Sequence, residues 1–388
     1  MNFGIYIHIP FCKQKCFYCD FASVTTSKAL KTNSDIYQSY INALCQEIAM
    51  YQERFPDICI DTIYFGGGTP SILPPYLIAQ VINKLKDKWI VNENIEVTLE
   101  ANPGTVDEAY LKSLFTNGIN RLSFGVQAVQ DDLLKKIGRI HTIDEANQAI
   151  MAAKVAGFSN ISVDLMYGLP TQSLEMLKES VAWSLDKDVQ HISIYGLQVE
   201  EDTVFGRLYE QNKLILPDED DVESMYEFLT KELVAKGYTR YEISNFAKTG
   251  YESKHNLSYW QDKNYLGLGA GAHGYFDNKR TQNPFDLSVY IEKCNKEIMP
   301  SINEELVDKK THVEEFCFLA LRMAKGIDKH LFYEKFALDI ENIYGEKIKS
   351  LCAKNLLIED DNNIYLTNLG MKFGNQVFSE FLLDIDLE

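Results

Sequence analysis

Pro10-Phe11-Cys12-Lys13-Gln14-Lys15-Cys16-Phe17-Tyr18-Cys19-Asp20 places three cysteines in a CxxxCxxC loop directly after a first apolar run. Such a loop can set three thiolates around one cubane cluster. With no fourth cysteine close by, one iron is left to bind something that is not protein. The competing reading is a structural zinc site, which needs four nitrogen or sulfur ligands in closed tetrahedral geometry. His8, Cys45 or Cys59 is available as a fourth ligand, but none stands at a paired knuckle spacing.

The rest of the composition narrows the setting of that loop. A chain of 388 residues, 46% hydrophobic and 24% charged, has material for one large domain and a smaller one. The segment from Met1 to Pro10 lacks the basic start and long apolar run of a signal peptide. No stretch reaches the roughly 18 apolar residues of a spanning helix, so a cytoplasmic protein is expected. In that reducing compartment the eight cysteines read as ligands or buried thiols rather than disulfides. Cys45, Cys59, Cys294, Cys317 and Cys352 lie far apart, mostly in apolar company, and read as core. A formal charge of -18 argues against a nucleic-acid partner, because phosphate binding needs a basic footprint.

Outward from the cysteine loop, short apolar runs alternate with longer helical patterns through the first 200 residues, the rhythm of strand-helix units in a parallel sheet. Strands are predicted to begin near Gly4, Asp61, Ile95, Arg121, Asn160 and His191, and helix signals lie between them. Ser34 precedes one periodic stretch; Thr142 and Glu145 form a capping box closed by Gly157. Six such units make a partial (β/α)6 barrel, and the unusual residues fall at its carboxyl rim, where barrel enzymes build their sites. Cys12 to Cys19 follow strand one, Gly66-Gly67-Gly68-Thr69-Pro70 follows strand two, Glu100 ends strand three, Gln127 ends strand four and Asp164 lies in strand five.

The barrel is expected over 1–237, and an extension of strands and loops, rich in Tyr, Gly and Asn, over 238–302. A C-terminal α+β module is expected over 303–388. Its helical patterns at Thr311 to Lys325, Lys329 to Phe336 and Leu338 to Asn355 precede two short strands and a last helix after Thr367, a winged-helix-like order. Residues 301–388 hold 10 Lys and Arg against 17 Asp and Glu, net -7, which makes the module a lid or docking element rather than a DNA reader.

Individual residues admit both bland and functional readings. The triglycine permits close backbone approach to a ligand, or only a tight turn. Glu100 at the end of a buried strand needs a cation or donors, and a structural ion pair would serve. Asp164 stands in an otherwise apolar strand, where a ribose hydroxyl or Arg139 would satisfy it; Arg139 reads equally as a surface cation. Tyr6 lies six residues before Cys12 and is otherwise core. His255-Asn256-Leu257-Ser258-Tyr259-Trp260 joins a histidine to two aromatics, a candidate binding set. A loop histidine satisfied by hydrogen bonds is the alternative. Gly267 to Gly274 adds His273 in a glycine-rich setting.

Taken together, these segments resemble the radical S-adenosylmethionine (SAM) superfamily. Tyr6-Ile-His-Ile-Pro-Phe-Cys12, Phe65-Gly-Gly-Gly-Thr-Pro-Ser71, Glu100-Ala-Asn-Pro-Gly104, Ser123-Phe-Gly-Val-Gln127 and Val163-Asp-Leu-Met-Tyr-Gly-Leu-Pro170 look like its oxygen-independent coproporphyrinogen III oxidase family, over nearly the whole chain. The resemblance implies a [4Fe-4S] cluster on Cys12, Cys16 and Cys19. It also implies SAM contacts from Tyr6, Tyr18, Gly67, Gly68, Thr69, Glu100, Gln127, Arg139 and Asp164. Thr69 stands where the superfamily pattern has an acid, so the SAM amine needs another partner, with Glu100 the candidate.

Two departures argue against the oxidase activity, in which a 5′-deoxyadenosyl radical converts two propionates to vinyls. Phe21 replaces a further cysteine, and only three residues precede strand one. The HNxxYW motif instead resembles the haem-chaperone branch of the family. That branch implies haem as cargo, with His255, Tyr259, Trp260 and His273 as candidate contacts. It further implies delivery to acceptor haem proteins, including any at a membrane, and a one-electron donor. Radical chemistry on RNA or peptides is the remaining alternative, disfavoured by the acidic surface and the lack of another cluster motif.

Overall fold

The computed structural model describes residues 2–384. Six strands lie side by side in chain order and all parallel: β1 (Asn2–Ile9), β2 (Cys59–Gly67), β3 (Ile90–Ala101), β4 (Arg121–Gln127), β5 (Ile161–Tyr167) and β6 (His191–Gly196). Helices α1 (Ile36–Arg54), α2 (Pro75–Lys86), α3 (Glu108–Thr116), α4 (Ile143–Ala156), α5 (Leu174–Asp186) and α6 (Glu219–Ala235) separate or follow them, as parallel pairing requires. The capping box of Thr142 and Glu145 starts α4, and Gly157 ends it in a left-handed cap. The helix expected after Ser34 begins instead at Ile36, with Asp35 in the cap position.

Period-2 alternation sorts the side chains of these strands. Ile5, Ile7, Ile63, Phe65, Val97, Leu99, Leu122, Phe124, Val163, Leu165, Ile192 and Ile194 are buried in one apolar core with the helices. Each such side chain contributes roughly 1.5–3 kcal/mol by leaving water. The alternate residues are mostly polar: Thr62 and Tyr64, Glu96, Thr98 and Glu100, Arg121 and Ser123, Ser162 and Asp164, His191 and Ser193. A barrel interior is ordinarily packed with branched apolar side chains. This one is a polar network instead, and it demands either internal partners or a ligand.

The sheet extends beyond the six strands. On one side β7 (Thr239–Arg240) and β8 (Asn245–Ala247) follow β6; on the other β9 (Tyr265–Leu268), β10 (His273–Phe276), β11 (Lys279–Gln282) and β12 (Asn303–Leu306) follow β1, giving twelve strands. Two expectations are revised here. The stretch from 238 to 276 is not strands and loops alone, because HNxxYW lies on helix α7 (Lys254–Trp260), started by the Ser253 side chain. Asn303–Leu306, which follows helix α8 (Leu287–Asn295), belongs to the large sheet rather than to the C-terminal module.

That module has a core of its own, from Val313 through Leu383. Helices α9 (Lys309–Leu321), α10 (Lys329–Phe336) and α11 (Ile340–Ala353) pack with a hairpin of β13 (Leu357–Glu359) and β14 (Asn363–Leu366), which Ile327–Asp328 joins as a third strand. The module sits against α7 and its turn: His312 Nε2 and Lys335 Nζ both meet Asp262, and the Arg322 guanidinium lies 4.5 Å from the Trp260 ring centre. Among the described residues no helix is long and apolar enough to cross a membrane.

Candidate functional site

The cysteine loop is a closed unit. Phe11–Cys12 pairs in parallel with Val24–Thr25, the Phe17 amide donates to the Ile137 carbonyl (3.0 Å), and the Phe205 amide donates to the Phe17 carbonyl (2.9 Å). Cys12 is buried while Cys16 and Cys19 are half-buried. Thr69 Oγ1 donates to Cys12 Sγ at 3.6 Å and Arg139 Nη1 to Cys16 Sγ at 3.4 Å. Burial pushes the Cys12 thiol up, and the Cys19 thiol up to about 11. Thiolates at these positions therefore need a cation, and a metal cluster is the cation that three neighbouring cysteines can take up. Among the described residues no three His, Cys, Asp or Glu side chains converge as for a single ion, whereas the cysteines of a cubane each take a different iron. The loop fits the cluster.

Tyr18 packs with Phe17, Phe205 and Leu169 in a small separate core beside the cluster loop. Its phenol is pushed up by burial and opposed by the Arg139 charge, so the two side chains are close.

The triglycine packs on its own chain. Gly67 has φ +107°, and a Cβ there would stand 2.5 Å from the His8 ring; at Gly68 it would meet the Ile9 and Phe11 carbonyls. The tight-turn reading thus accounts for both glycines, and Thr69 is left to face Cys12. Glu100 accepts from Tyr64 Oη (2.8 Å) and the Gly67 amide (3.2 Å). Burial pushes its carboxyl up to about 7, these two bonds oppose the shift, and Asp164 adds to it. Asp164 accepts from Ser123 Oγ at 3.0 Å and is held by Ser193, while Arg139 acts on it through charge only. The Arg139 guanidinium spans Cys16 and the Gly125 carbonyl, so it is not a surface cation. Gln127 has φ +72°, a strained conformation for a residue with a side chain, where the β4–β5 register slips. Tyr6 Oη meets His8 Nδ1 at 3.0 Å, and His8 Nε2 meets the Ala22 carbonyl at 2.7 Å.

HNxxYW is found at the opposite end of the barrel interior. His255 is 1% exposed; its Nδ1 bonds Thr62 Oγ1 and its Nε2 bonds Tyr259 Oη, each at 2.7 Å. Glu96 accepts the amides of Lys254 and His255, both at 3.1 Å. Burial lowers the imidazole to about 3, so it is neutral. The ring stacks on Tyr64, whose hydroxyl reaches Glu100, and so it belongs to the stack beneath the rim. His273 is remote from this helix, exposed at the start of β10.

Sequence reasoning missed Tyr64, Ser123, Ser193, Thr62, Glu96 and Arg121, and weighed His8 only as a zinc ligand. Their signal was the polar half of the period-2 alternation, legible once both faces of each strand are counted as buried.

Comparison with known proteins follows this geometry. The radical SAM superfamily model matches residues 6–184 and the HemN C-terminal domain model residues 307–373. The heme chaperone HemW of Lactococcus lactis is 40% identical over 379 residues, covering 98% of this chain and 97% of its own. Its Bacillus subtilis counterpart is 39% identical, covering 97% and 98%. The chain belongs to the HemW family. HemW of Escherichia coli is 39% identical, over 98% of each chain. Among solved structures, the coproporphyrinogen III oxidase HemN of Escherichia coli, a radical SAM enzyme, superposes with a TM-score of 0.85 over 99% of this chain and 90% of its own, at 21% identity. That likeness establishes the shared fold. Membership in the radical SAM superfamily implies a [4Fe-4S] cluster and SAM.

Glu100 gives the barrel interior a pH-dependent charge. A carboxyl with a folded value near 7 is neutral below it and charged above it, so its attraction for an ammonium group grows as pH rises. SAM affinity measured calorimetrically on cluster-loaded protein is expected to strengthen about tenfold from pH 6 to pH 8. Glu100→Gln should bind weakly at both, with a flat profile; a pH dependence surviving in that variant would remove Glu100 from the site. The linked stability effect has the opposite sense: the folded state holds the proton more tightly than the unfolded, so this group's stabilisation is present below about 4.5 and lost as pH rises through about 7.

Proposed function

We propose that this chain carries haem as cargo and delivers it to acceptor haem proteins, with a [4Fe-4S] cluster and SAM as resident cofactors. The observation that carries the reading is full-length similarity, 40% and 39% identical, to proteins named heme chaperone HemW. Cys12, Cys16 and Cys19 would hold the cluster, and the Arg139 guanidinium beside Cys16 would favour its thiolate. Glu100 would meet the SAM ammonium. Asp164, oriented by Ser123 and Ser193, would accept from ribose hydroxyls. Tyr6, Gly67, Gly68, Thr69, Gln127 and Tyr18 would wall the cofactor in. When bound, the pair supplies one-electron chemistry drawn from an external donor.

Phe21, 63% exposed beside the loop, provides no thiol at that position, which disfavours propionate oxidation. The test is direct: cluster-loaded protein given haem is expected to bind it stoichiometrically and pass it to an apo-globin. The same protein given coproporphyrinogen III, SAM and reductant is expected to yield no protoporphyrinogen. Catalytic turnover in the second assay, or absence of haem binding in the first, would overturn the reading.

A further inference from the structure

We infer that His273 is the side chain that ligates haem iron, in a rim site flanked by Phe21 and Phe285 and reached by Lys15. The assignment rests on the haem-carrying reading above and names the ligand it leaves open.

Ligation of iron by imidazole needs a ring nitrogen with a free lone pair and a face open to the macrocycle. The chain has seven histidines. His8, His191 and His255 are buried with both ring nitrogens hydrogen-bonded: to Tyr6 and Ala22, to Ser162 and Tyr241, and to Thr62 and Tyr259. His312 is buried at the module joint on Asp262 and Tyr275. His141 has unpaired ring nitrogens but is 3% exposed, with no room for a porphyrin edge. His330 is open, yet it stands on α10 in the separate C-terminal core, 3.6 Å from Glu334. His273 alone combines exposure with a place at the cluster end of the barrel, and its ring has no hydrogen-bond partner among the described residues.

The surroundings suit a flat apolar ligand with acidic arms. The turn before His273 lies against this rim: a Cβ on Gly271 would lie 3.1 Å from Ala22, the chain neighbour of Phe21, and 3.5 Å from Phe285. Phe21 and Phe285 are exposed, 63% and 50%, and offer apolar ring surface that a macrocycle can cover. Exposed Lys15 donates to the Phe21 carbonyl at 3.1 Å, which sets an ammonium at the Phe21 backbone, available to a propionate. The backbones approach closely here, since a Cβ on Gly267 would stand 1.8 Å from the His273 carbonyl, so strands β9 and β10 are in direct contact. His8, close enough to feel the charge of His273, links this corner to Tyr6.

The experiment titrates ferric haem into cluster-loaded full-length protein and its His273→Gly, His255→Gln and His330→Ala variants, reading affinity and the electron paramagnetic resonance signature of imidazole ligation. His273→Gly is expected to bind at least tenfold more weakly without the signature, and added imidazole should restore it, which no purely structural role would produce. His255→Gln and His330→Ala should keep the signature in the haem they bind. If His273→Gly retains the signature, the ligand assignment is overturned while the chaperone reading stands. Wild-type protein that binds no haem overturns the chaperone reading itself.

Discussion

Cys16→Ser is expected to abolish the cluster, dropping iron from about four per chain to under about one and erasing the brown chromophore. Cys16 is half-buried and contributes to no apolar core, so the loop survives the exchange through its own fastenings: the Phe11–Cys12 pairing and the Phe17 amide bond. A serine hydroxyl is a hard, weakly acidic donor that does not replace a thiolate on iron. The Arg139 guanidinium then loses its sulfur partner and keeps only the Gly125 carbonyl and its charge interaction with Asp164. SAM affinity should fall more than tenfold, because the cluster proposed to anchor it would be missing. Thermal unfolding of the metal-free protein should be unchanged. Cys45→Ser, whose sulfur only accepts from Gln80 at 3.8 Å, is the matched control and should keep both cluster and SAM. Normal iron content in the Cys16 variant would remove the metal assignment.

The second large effect is expected at the base of the barrel. Arg121 is 2% exposed, and its charge is supported chiefly by Glu96, which is 5% exposed and also accepts the first two amides of α7. Glu96→Ala leaves the buried guanidinium without the charge that supports it most and strips two helix-terminal donors of their acceptor. A loss of about 3–5 kcal/mol is expected in urea unfolding, with Glu96→Gln costing less because its amide oxygen still caps α7. The loosened α7 would also free His255 from its Thr62 and Tyr259 bonds. A loss under about 1 kcal/mol would mean that the interior charge network is solvated and contributes little.

How far each residue was readable depends on the range of the interaction that fixes it. The six strands, their order of appearance, the capping box of α4 and the C-terminal helices and hairpin follow local periodicity and cap chemistry, and the structure has them close to where those rules put them. The helix of HNxxYW was not readable in this way. Its start depends on Ser253 and on Glu96, which lies 158 and 159 positions away from the amides it accepts. Asn303–Leu306 likewise looked like the beginning of a new module because its place at the sheet edge is set by pairing with β11, not by composition.

By itself the amino-acid sequence determined the cysteine loop, the strand-helix alternation and the family resemblance, since each is written in spacings of a few residues. Only the tertiary structure decided which histidines are both exposed and free of ring hydrogen bonds, that Arg139 faces a cysteine and a carbonyl, and that burial pushes the Glu100 carboxyl up to about 7. Those properties depend on which distant groups the parallel strands bring within hydrogen-bond reach and how much water they exclude, and neither distance nor solvation is encoded in residue order alone.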